Sequence, residues 1–157
     1  MAIAKVTTDY STRTKDLHIM QGVNPSKLSG ITPSFGKISN YCAGVQKLVQ
    51  RYTILLLTSI GSQPNYPNFG TDLVDTVMSS SLLLNKLEFV NIFNFANAGV
   101  VSFLRNYQRK VAAPLDEQLN TATLLDIVIK DGGISLKVQL VTMQNTPVDF
   151  IVPLPAK

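Results

Sequence analysis

The last third of the chain alternates apolar and polar residues, and this pattern constrains the fold more than any other feature. Residues 125–130 and 134–141 have a period of two, as expected for strands that bury one face. Asp131-Gly132-Gly133 between them predicts a hairpin turn, and Asn145-Thr146-Pro147 predicts a second turn before a strand over 148–152. The segment is therefore predicted to form a three-stranded antiparallel meander. The predicted buried residues of its first strand are Leu125, Ile127 and Ile129.

Two segments upstream have the three-and-four spacing of amphipathic helices. The first apolar stripe runs from Ile38 to Leu56. The second helix is predicted to begin after Asn85, because Glu88 three residues later approximates a capping box, and Pro114 forbids its continuation. Two main helices packed on the C-terminal meander give a two-layer α+β domain.

Residues 1–37 are predicted to form an extended N-terminal arm, and residues 38–157 a single α+β domain. The arm is punctuated by Thr, Ser, Asn-Pro and Gly and shows no sustained period, yet apolar residues such as Leu17, Ile19 and Met20 are embedded in it. A long stretch without elements of its own is either disordered or ordered by a partner, and the embedded apolar residues favour the second. We therefore expect the arm to lie on the domain or on a neighbouring chain.

The segment between the helices is rich in proline, glycine and aromatic residues. Proline fixes φ and restricts the residue before it, whereas glycine permits backbone angles that are strained for other residues. The segment is therefore predicted to be a stiff interaction loop that holds two aromatic side chains, Tyr66 and Phe69, at fixed positions. These either plug the core or contact a partner. The loop residues singled out are Gly61, Pro64, Tyr66, Pro67, Phe69, Gly70 and Asp72.

The same segment carries an extended motif. A helix ends in an apolar run and Thr, followed by Gly-Ser-x-Pro and then Pro-x-Phe-Gly-x-Asp-Leu; the matching residues are Thr58, Gly61, Ser62, Pro64, Pro67, Phe69, Gly70, Asp72 and Leu73. This motif resembles the baseplate wedge and tail-sheath initiator proteins of contractile-tailed phages, a family often called lysozyme-like and found also in type VI secretion systems. The resemblance implies a structural virion protein of the tail baseplate, assembled in the host cytoplasm. The implied partners are other wedge subunits, the tail sheath protein, and tube or hub proteins.

The resemblance also implies a docking site at the end of the second long helix, where the family carries Glu-Pro-Arg after Asn-Tyr. This chain has Asn106-Tyr107 followed by Gln108-Arg109-Lys110, so the acidic residue and the proline are missing. Docking to the baseplate core would then use Tyr107, Arg109 and Lys110, with a changed charged contact. The alternative interpretation is that basic residues simply close a helix.

A third implied site is the C-terminal sheet. In the family, this sheet copies part of the sheath subunit's own sheet, so that the first sheath ring can add strands to it. The final strand carries one charge and suits strand addition, with backbone hydrogen bonds giving affinity and alternating side chains giving register. The implied template residues are Val148, Phe150, Ile151 and Val152.

The lysozyme-like label raises an alternative function, a peptidoglycan-degrading enzyme of the tail tip. A glycosidase needs two carboxylates across a cleft, one with a raised pKa. The chain has two glutamates: Glu88 is explained as a capping residue, and Glu117 lies in a polar connector. No Ser/His/Asp arrangement, phosphate loop or metal-ligand spacing is found. The sequence therefore predicts no catalytic residue, no cofactor and no metal site.

Composition narrows the partners further. The net charge of +4 is scattered without a basic run, which argues against direct nucleic-acid binding, and no stretch approaches the roughly 20 apolar residues that span a bilayer. Charged residues make up 15% of the chain and hydrophobic residues 45%, which predicts a surface largely covered by other subunits. An adaptor module unrelated to phage tails is a third interpretation.

Overall fold

The computed structural model describes residues 16–17, 41–79, 85–130 and 133–155. In this part of the chain the strands and helices follow one another as β1 (Asp16–Leu17), β2 (Tyr41–Cys42), α1 (Val45–Leu57), α2 (Leu73–Ser79), α3 (Lys86–Lys110), β3 (Leu119–Lys130), β4 (Gly133–Thr142) and β5 (Pro147–Pro155). Strands β3, β4 and β5 form an antiparallel sheet in that order, and β1 pairs with β2. The predicted α+β fold, with two main helices and a C-terminal three-stranded meander, is confirmed.

The core lies between the two long helices and one face of the meander. Tyr52 of α1 packs edge-on against Phe150 of β5, with ring centroids 5.9 Å apart. The Tyr52 hydroxyl donates to Asn97 Oδ1 of α3 at 2.7 Å, and burial raises the pKa of this phenol. Each large apolar side chain buried here contributes about 1.5–3 kcal/mol through removal from water. The largest fully buried residues are Tyr52, Phe89, Phe93, Leu48, Leu56, Leu73, Leu104, Leu119, Leu136 and Leu140.

Helix α1 begins later than predicted. The stripe predicted a start at Ile38, but Tyr41 and Cys42 form a strand, and Gly44 with φ 63° turns the chain into a helix that starts at Val45. The strand pairs with Asp16 and Leu17 of the predicted arm, a contact that no local pattern specifies. Cys42 is therefore buried on a strand rather than on a helix, and burial raises the pKa of its thiol. The rest of the predicted arm, and its boundary at residue 37, lie outside the described residues.

Helix α3 begins where the sequence predicted. Asn85 accepts a hydrogen bond from the Glu88 backbone N–H at 2.8 Å, and Arg109 and Lys110 occupy the last turn, where cations favour the helix dipole. Among the described residues, α3 is the one helix long and apolar enough to cross a membrane by length and composition. Core helices of water-soluble proteins pass the same test, and α3 buries one stripe in the core; the stripe comprises Phe89, Phe93, Ala96, Val100, Leu104 and Gln108.

Two strands of the meander are longer than predicted. Strand β3 starts at Leu119 rather than 125, and a register shift between Leu124 and Asp126 leaves Leu125 as an extra residue. Consequently Leu125 is 43% exposed, and Ile129 near the hairpin tip is 47% exposed, so their predicted burial is wrong, while Ile127 is buried. Strand β5 continues past 152 to Pro155.

Candidate docking sites

The interaction loop is closed on itself by backbone hydrogen bonds. The Thr71 N–H donates to Thr58 O at 2.8 Å, and the Ile60 N–H donates back to Thr71 O at 3.2 Å. Inside this closure, the Gly61 N–H donates to Pro67 O at 3.1 Å. The loop therefore leaves α1 and returns to the same point before α2 begins, as in a compact Ω-loop.

Gly70 makes this closure possible. Its φ is 108°, a conformation that other residues rarely adopt, and a Cβ at this position would lie 2.3 Å from Thr58 O. The next residue, Thr71, is buried and its hydroxyl donates to Leu56 O at 2.8 Å. The glycine of the motif is thus required where the two ends of the loop touch.

The two loop aromatics have different environments. The half-buried Phe69 ring packs edge-on against Phe103 of α3, with centroids 5.7 Å apart. Tyr66 is 65% exposed. Phe69 therefore anchors the loop to the domain, whereas Tyr66 is presented to the surroundings. The other loop residues singled out from the sequence, Gly61, Pro64, Pro67 and Asp72, are also exposed.

Beside these aromatics the loop, α1 and α3 enclose an apolar pocket of about 350 Å³, which we call the loop pocket. Its floor is aliphatic, and Arg51, Gln63, Tyr66 and Tyr107 supply its polar groups. Its size lies near the lower limit for ligand pockets, about 300 Å³. The lining residues are Arg51, Ile54, Leu55, Gln63, Tyr66, Phe69, Phe103, Leu104 and Tyr107.

Arg51 is held in place at the wall of the loop pocket. Its Nε and Nη2 donate to the two carboxylate oxygens of Asp16 at 2.7 and 3.1 Å, a bidentate pair. The guanidinium carbon lies 5.1 Å from the centroid of the Tyr107 ring. The next residue of the arm is bound too, because Gln50 Nε2 donates to Leu17 O at 2.9 Å. The described part of the arm is thus fixed beside the pocket.

The structure separates the three docking residues implied at the end of α3. Tyr107 lines the loop pocket and is 39% exposed, so the helix end and the interaction loop share one site. Arg109 is exposed and lines a different, polar groove between α3 and β3, together with Arg105 and Asn120. Lys110 is exposed and lines neither.

Gln108, at the position of the family's acidic residue, is turned inward. Its Nε2 donates to Glu117 O at 2.7 Å, and its Oε1 accepts from the Leu119 N–H at 2.9 Å. Glu117 in turn forms a buried ion pair with Lys47, with Nζ–Oε2 at 3.0 Å and both side chains about 5% exposed or less. Glu117 Oε1 also accepts from the Gly44 N–H at 3.0 Å. These contacts connect α1, α3 and β3, and they satisfy the polar groups inside the domain.

The implied template strand lies within β5, and its side chains are divided between two faces. Phe150 and Val152 are buried against the helices, whereas Val148 and Ile151 are half-buried. A partner at this edge would therefore meet the backbone of β5 and the side chain of Ile151 rather than Phe150 or Val152.

The two glutamates of the chain do not form a glycosidase pair. Glu88 is in the first turn of α3, while Glu117 contacts Gln108 in its last turn, so a rise of 1.5 Å per residue separates the glutamates by about 30 Å. Paired carboxylates in glycosidases lie roughly 5–9.5 Å apart. Three aspartates are engaged by basic side chains, as Asp16 with Arg51, Asp126 with Lys86, and Asp149 with Lys137. No group of three or more His, Cys, Asp or Glu among the described residues is placed to hold a metal ion.

Several lining residues of the loop pocket were missed by the sequence patterns. Arg51, Gln63 and Phe103 line the pocket, but none of them was singled out from the sequence. A signal was present in the sequence, since the motif residue Phe69 and the nearby Tyr66 place two aromatic side chains in this short loop. Which surface they face depends on the crossing of α1 and α3, which is a tertiary property.

Comparison with known proteins adds one structural likeness. No protein-family model and no curated protein sequence matches this chain. Among solved structures, the chain is similar to a protein from Geobacter sulfurreducens that is provisionally described as a tail lysozyme. The TM-score is 0.46 and the sequence identity 15%, over 71% of this chain and 90% of that chain. A likeness of this size leaves the function to be argued from the residues of this chain.

Proposed function

We propose that this chain is a structural subunit of a contractile phage tail, a baseplate wedge protein that docks to the baseplate core and templates the first sheath ring. The loop pocket is the main observation that supports this proposal. It joins, in one site, the motif loop through Tyr66 and Phe69 with the implied docking helix end through Tyr107. Two segments more than 35 residues apart in sequence were singled out for the same role, and the fold brings them together.

The chemistry of the loop pocket suits a protein partner. Binding hot spots are enriched in Tyr and Arg around a desolvated apolar centre, and this pocket has two tyrosines and Arg51 around a floor of Ile54, Leu55 and Leu104. Arg51 is oriented beforehand by Asp16 and stacked on Tyr107, so little side-chain freedom is lost on docking. An apolar side chain of a neighbouring wedge or core subunit would fill the cavity.

The second partner in the proposal is the tail sheath protein, which would add a strand to the free edge of β5. Among the residues that the structure describes, strand β5 lies at the edge of the sheet and pairs with β4 alone. Edge strands present unpaired N–H and C=O groups that another chain can bind. On this account the protein acts in the virion tail after assembly in the host cytoplasm, and it needs no cofactor.

The alternative, a peptidoglycan-degrading enzyme of the tail tip, is the activity that the name of the Geobacter sulfurreducens protein suggests for that protein. In this chain, Glu117 forms a buried ion pair with Lys47, and Glu88 is exposed in the first turn of α3, about 30 Å away. The two glutamates are therefore too far apart to act together as the carboxylate pair that sugar hydrolysis requires. The proposal is therefore a structural role without catalysis.

The test is a pair of tyrosine substitutions in the tails that contain this protein. Tyr66→Ala with Tyr107→Ala should leave the melting temperature within a few degrees, because both side chains are substantially exposed. The double variant should nevertheless be missing from purified tails. Tyr41→Ala is the matched control, since Tyr41 is 56% exposed and does not line the loop pocket. Normal incorporation of the double variant would refute docking through this site.

A further inference from the structure

The hydrogen-bonding pattern of the β5 edge follows from the turn that precedes it. The Thr142 N–H donates to Thr146 O at 3.1 Å, and the same register continues into the strands with Leu140 opposite Val148. Hydrogen-bonded and non-hydrogen-bonded pairs alternate along an antiparallel ladder. The even-numbered residues of β5 therefore bond to β4, and the odd-numbered residues point their N–H and C=O groups away from the sheet.

A contact at the β3 edge of the sheet gives the same assignment of even- and odd-numbered residues in β5. Asn97 of α3 donates to Ala122 O at 2.9 Å, so this carbonyl of β3 points away from β4. Ala122 lies opposite Leu140, and its outward direction means that the N–H and C=O of Leu140 face β5. Two independent contacts thus fix which backbone groups of β5 are free.

Three of the five outward-facing residues of β5 are prolines. Pro147, Pro153 and Pro155 are all odd-numbered, and proline has no N–H to donate. This placement costs the β4 ladder nothing, because these positions do not bond to β4. Outward donors remain at Asp149 and Ile151 alone, while all five outward carbonyls can still accept.

The edge of β5 is the open edge of this sheet among the described residues. On the β3 side, α3 side chains occupy the strand: Asn97 binds Ala122 O, Arg105 binds the carbonyls of Leu119 and Asn120, and Lys86 binds Asp126. No described side chain bonds the outward backbone groups of β5. An added strand is therefore less obstructed at β5 than along the first residues of β3.

We infer that the β5 edge accepts one short extended segment of another protein, centred on Asp149 to Ile151 and about five residues long. The identity of that protein as the sheath rests on the proposed function. At Pro147 and Pro153 an added strand can donate to a carbonyl, but its own carbonyl there meets a proline ring instead of a donor. Extension beyond these residues therefore gains little, and the prolines set both length and register.

A second copy of this chain fits the edge less well. If two β5 strands paired about a point between Asp149 and Ile151, Pro147 of each copy would face Pro153 of the other, a pair without any donor. Prolines on an edge are a known means of preventing self-association of sheets. A segment of different sequence, which keeps its own N–H groups at these places, satisfies the free carbonyls of β5.

Amide hydrogen exchange on the isolated full-length chain tests which residues of β5 are hydrogen-bonded to β4. The Val148, Phe150 and Val152 amides should be protected, and the Asp149 and Ile151 amides should exchange freely. A synthetic five-residue peptide of alternating threonine and valine should then protect Asp149 and Ile151. If these two amides are protected without the peptide, another segment of this chain or a second copy covers the edge. Either outcome overturns the inference, and dilution separates the two.

Substitutions test the role of the prolines in setting length. Wild-type protein should bind five- and nine-residue peptides of the same alternating sequence with similar affinity. Pro153→Thr with Pro155→Thr should bind the nine-residue peptide about tenfold more tightly, because two donors are restored. Equal affinity of both peptides for this variant would contradict the length limit.

Two proline substitutions distinguish an effect on the β5 edge from an effect on the stability of the fold. Ile151→Pro should keep the melting temperature close to that of the wild type and abolish peptide binding, because its N–H points outward. Val152→Pro should unfold the sheet, because its N–H bonds to β4; equal stability of the two variants would overturn the assignment of even- and odd-numbered residues. If Ile151→Pro blocks the peptide while sheath still assembles normally, the edge inference stands and the sheath role in the proposed function fails.

Discussion

At the scale of single residues, the conformation of the interaction loop depends on one glycine. Gly70 combines a positive φ with a position where a Cβ would clash with the carbonyl of Thr58, so there is no room for a side chain. The backbone conformation of the loop therefore explains the glycine of the motif, independently of any role in docking. Tyr66, by contrast, makes its side chain available and contributes little to the closure of the loop.

Gly70→Ala is expected to destabilise the fold by about 3 kcal/mol or more, from backbone strain together with the clash against Thr58 O. Gly99→Ala is the matched control, because a Cβ there meets nothing within 4 Å in the middle of α3. That control should stabilise the protein by about 0.5–1 kcal/mol. Urea unfolding of both variants provides the comparison; equal stabilities would show that the loop closes without Gly70.

At the scale of elements, prediction succeeded where the signal was local. Asn85 and Glu88 mark the start of α3 by neighbouring contacts alone, and the sequence predicted it. Tyr41 and Cys42, just before α1, pair with Asp16 and Leu17, about 25 residues away. The apolar stripe could not indicate this pairing, so the predicted helix began too early. The bulge at Leu125 shifts the alternation of buried and exposed residues by one position. Because Leu125 is itself apolar, the sequence pattern does not show this shift.

The candidate sites were predicted in part for the same reason. The motif indicated Tyr66 and Phe69, and the resemblance indicated Tyr107, but their meeting in one pocket depends on how α1 and α3 cross. The inward turn of Gln108 could not be predicted either, because its partners Glu117 and Leu119 belong to a segment that was assigned to a polar connector.

The junction of α1, α3 and β3 should depend on the buried ion pair. Glu117→Leu removes the negative charge that lies 3.0 Å from the buried Lys47 ammonium, and is expected to cost about 3–5 kcal/mol. The double variant Lys47→Met with Glu117→Leu should recover a large part of that loss, since an apolar pair of similar volume can replace a buried ion pair. A double-mutant cycle by chemical denaturation measures the coupling. Additive effects of the two single changes would contradict it.

At the scale of the whole molecule, helix α3 exposes large apolar side chains on its outer side. Residues 89–104 of α3 contain no charged side chain, although Phe95 within them is 82% exposed and Leu87 just before them is 71% exposed. Exposed apolar area of this kind marks contact surfaces. The loop pocket, the outer side of α3 and the β5 edge would then each meet a neighbour in an assembled tail.

Site-specific photo-crosslinking in assembled tails can detect docking of the loop pocket to another tail protein. A benzophenone amino acid replacing Tyr66 should crosslink to a second baseplate protein, identified by mass spectrometry, because position 66 lies at the pocket and is exposed. The same probe replacing Tyr41 supplies the background. Crosslinks from position 66 that do not exceed those from position 41, in tails that contain the protein, would contradict the account.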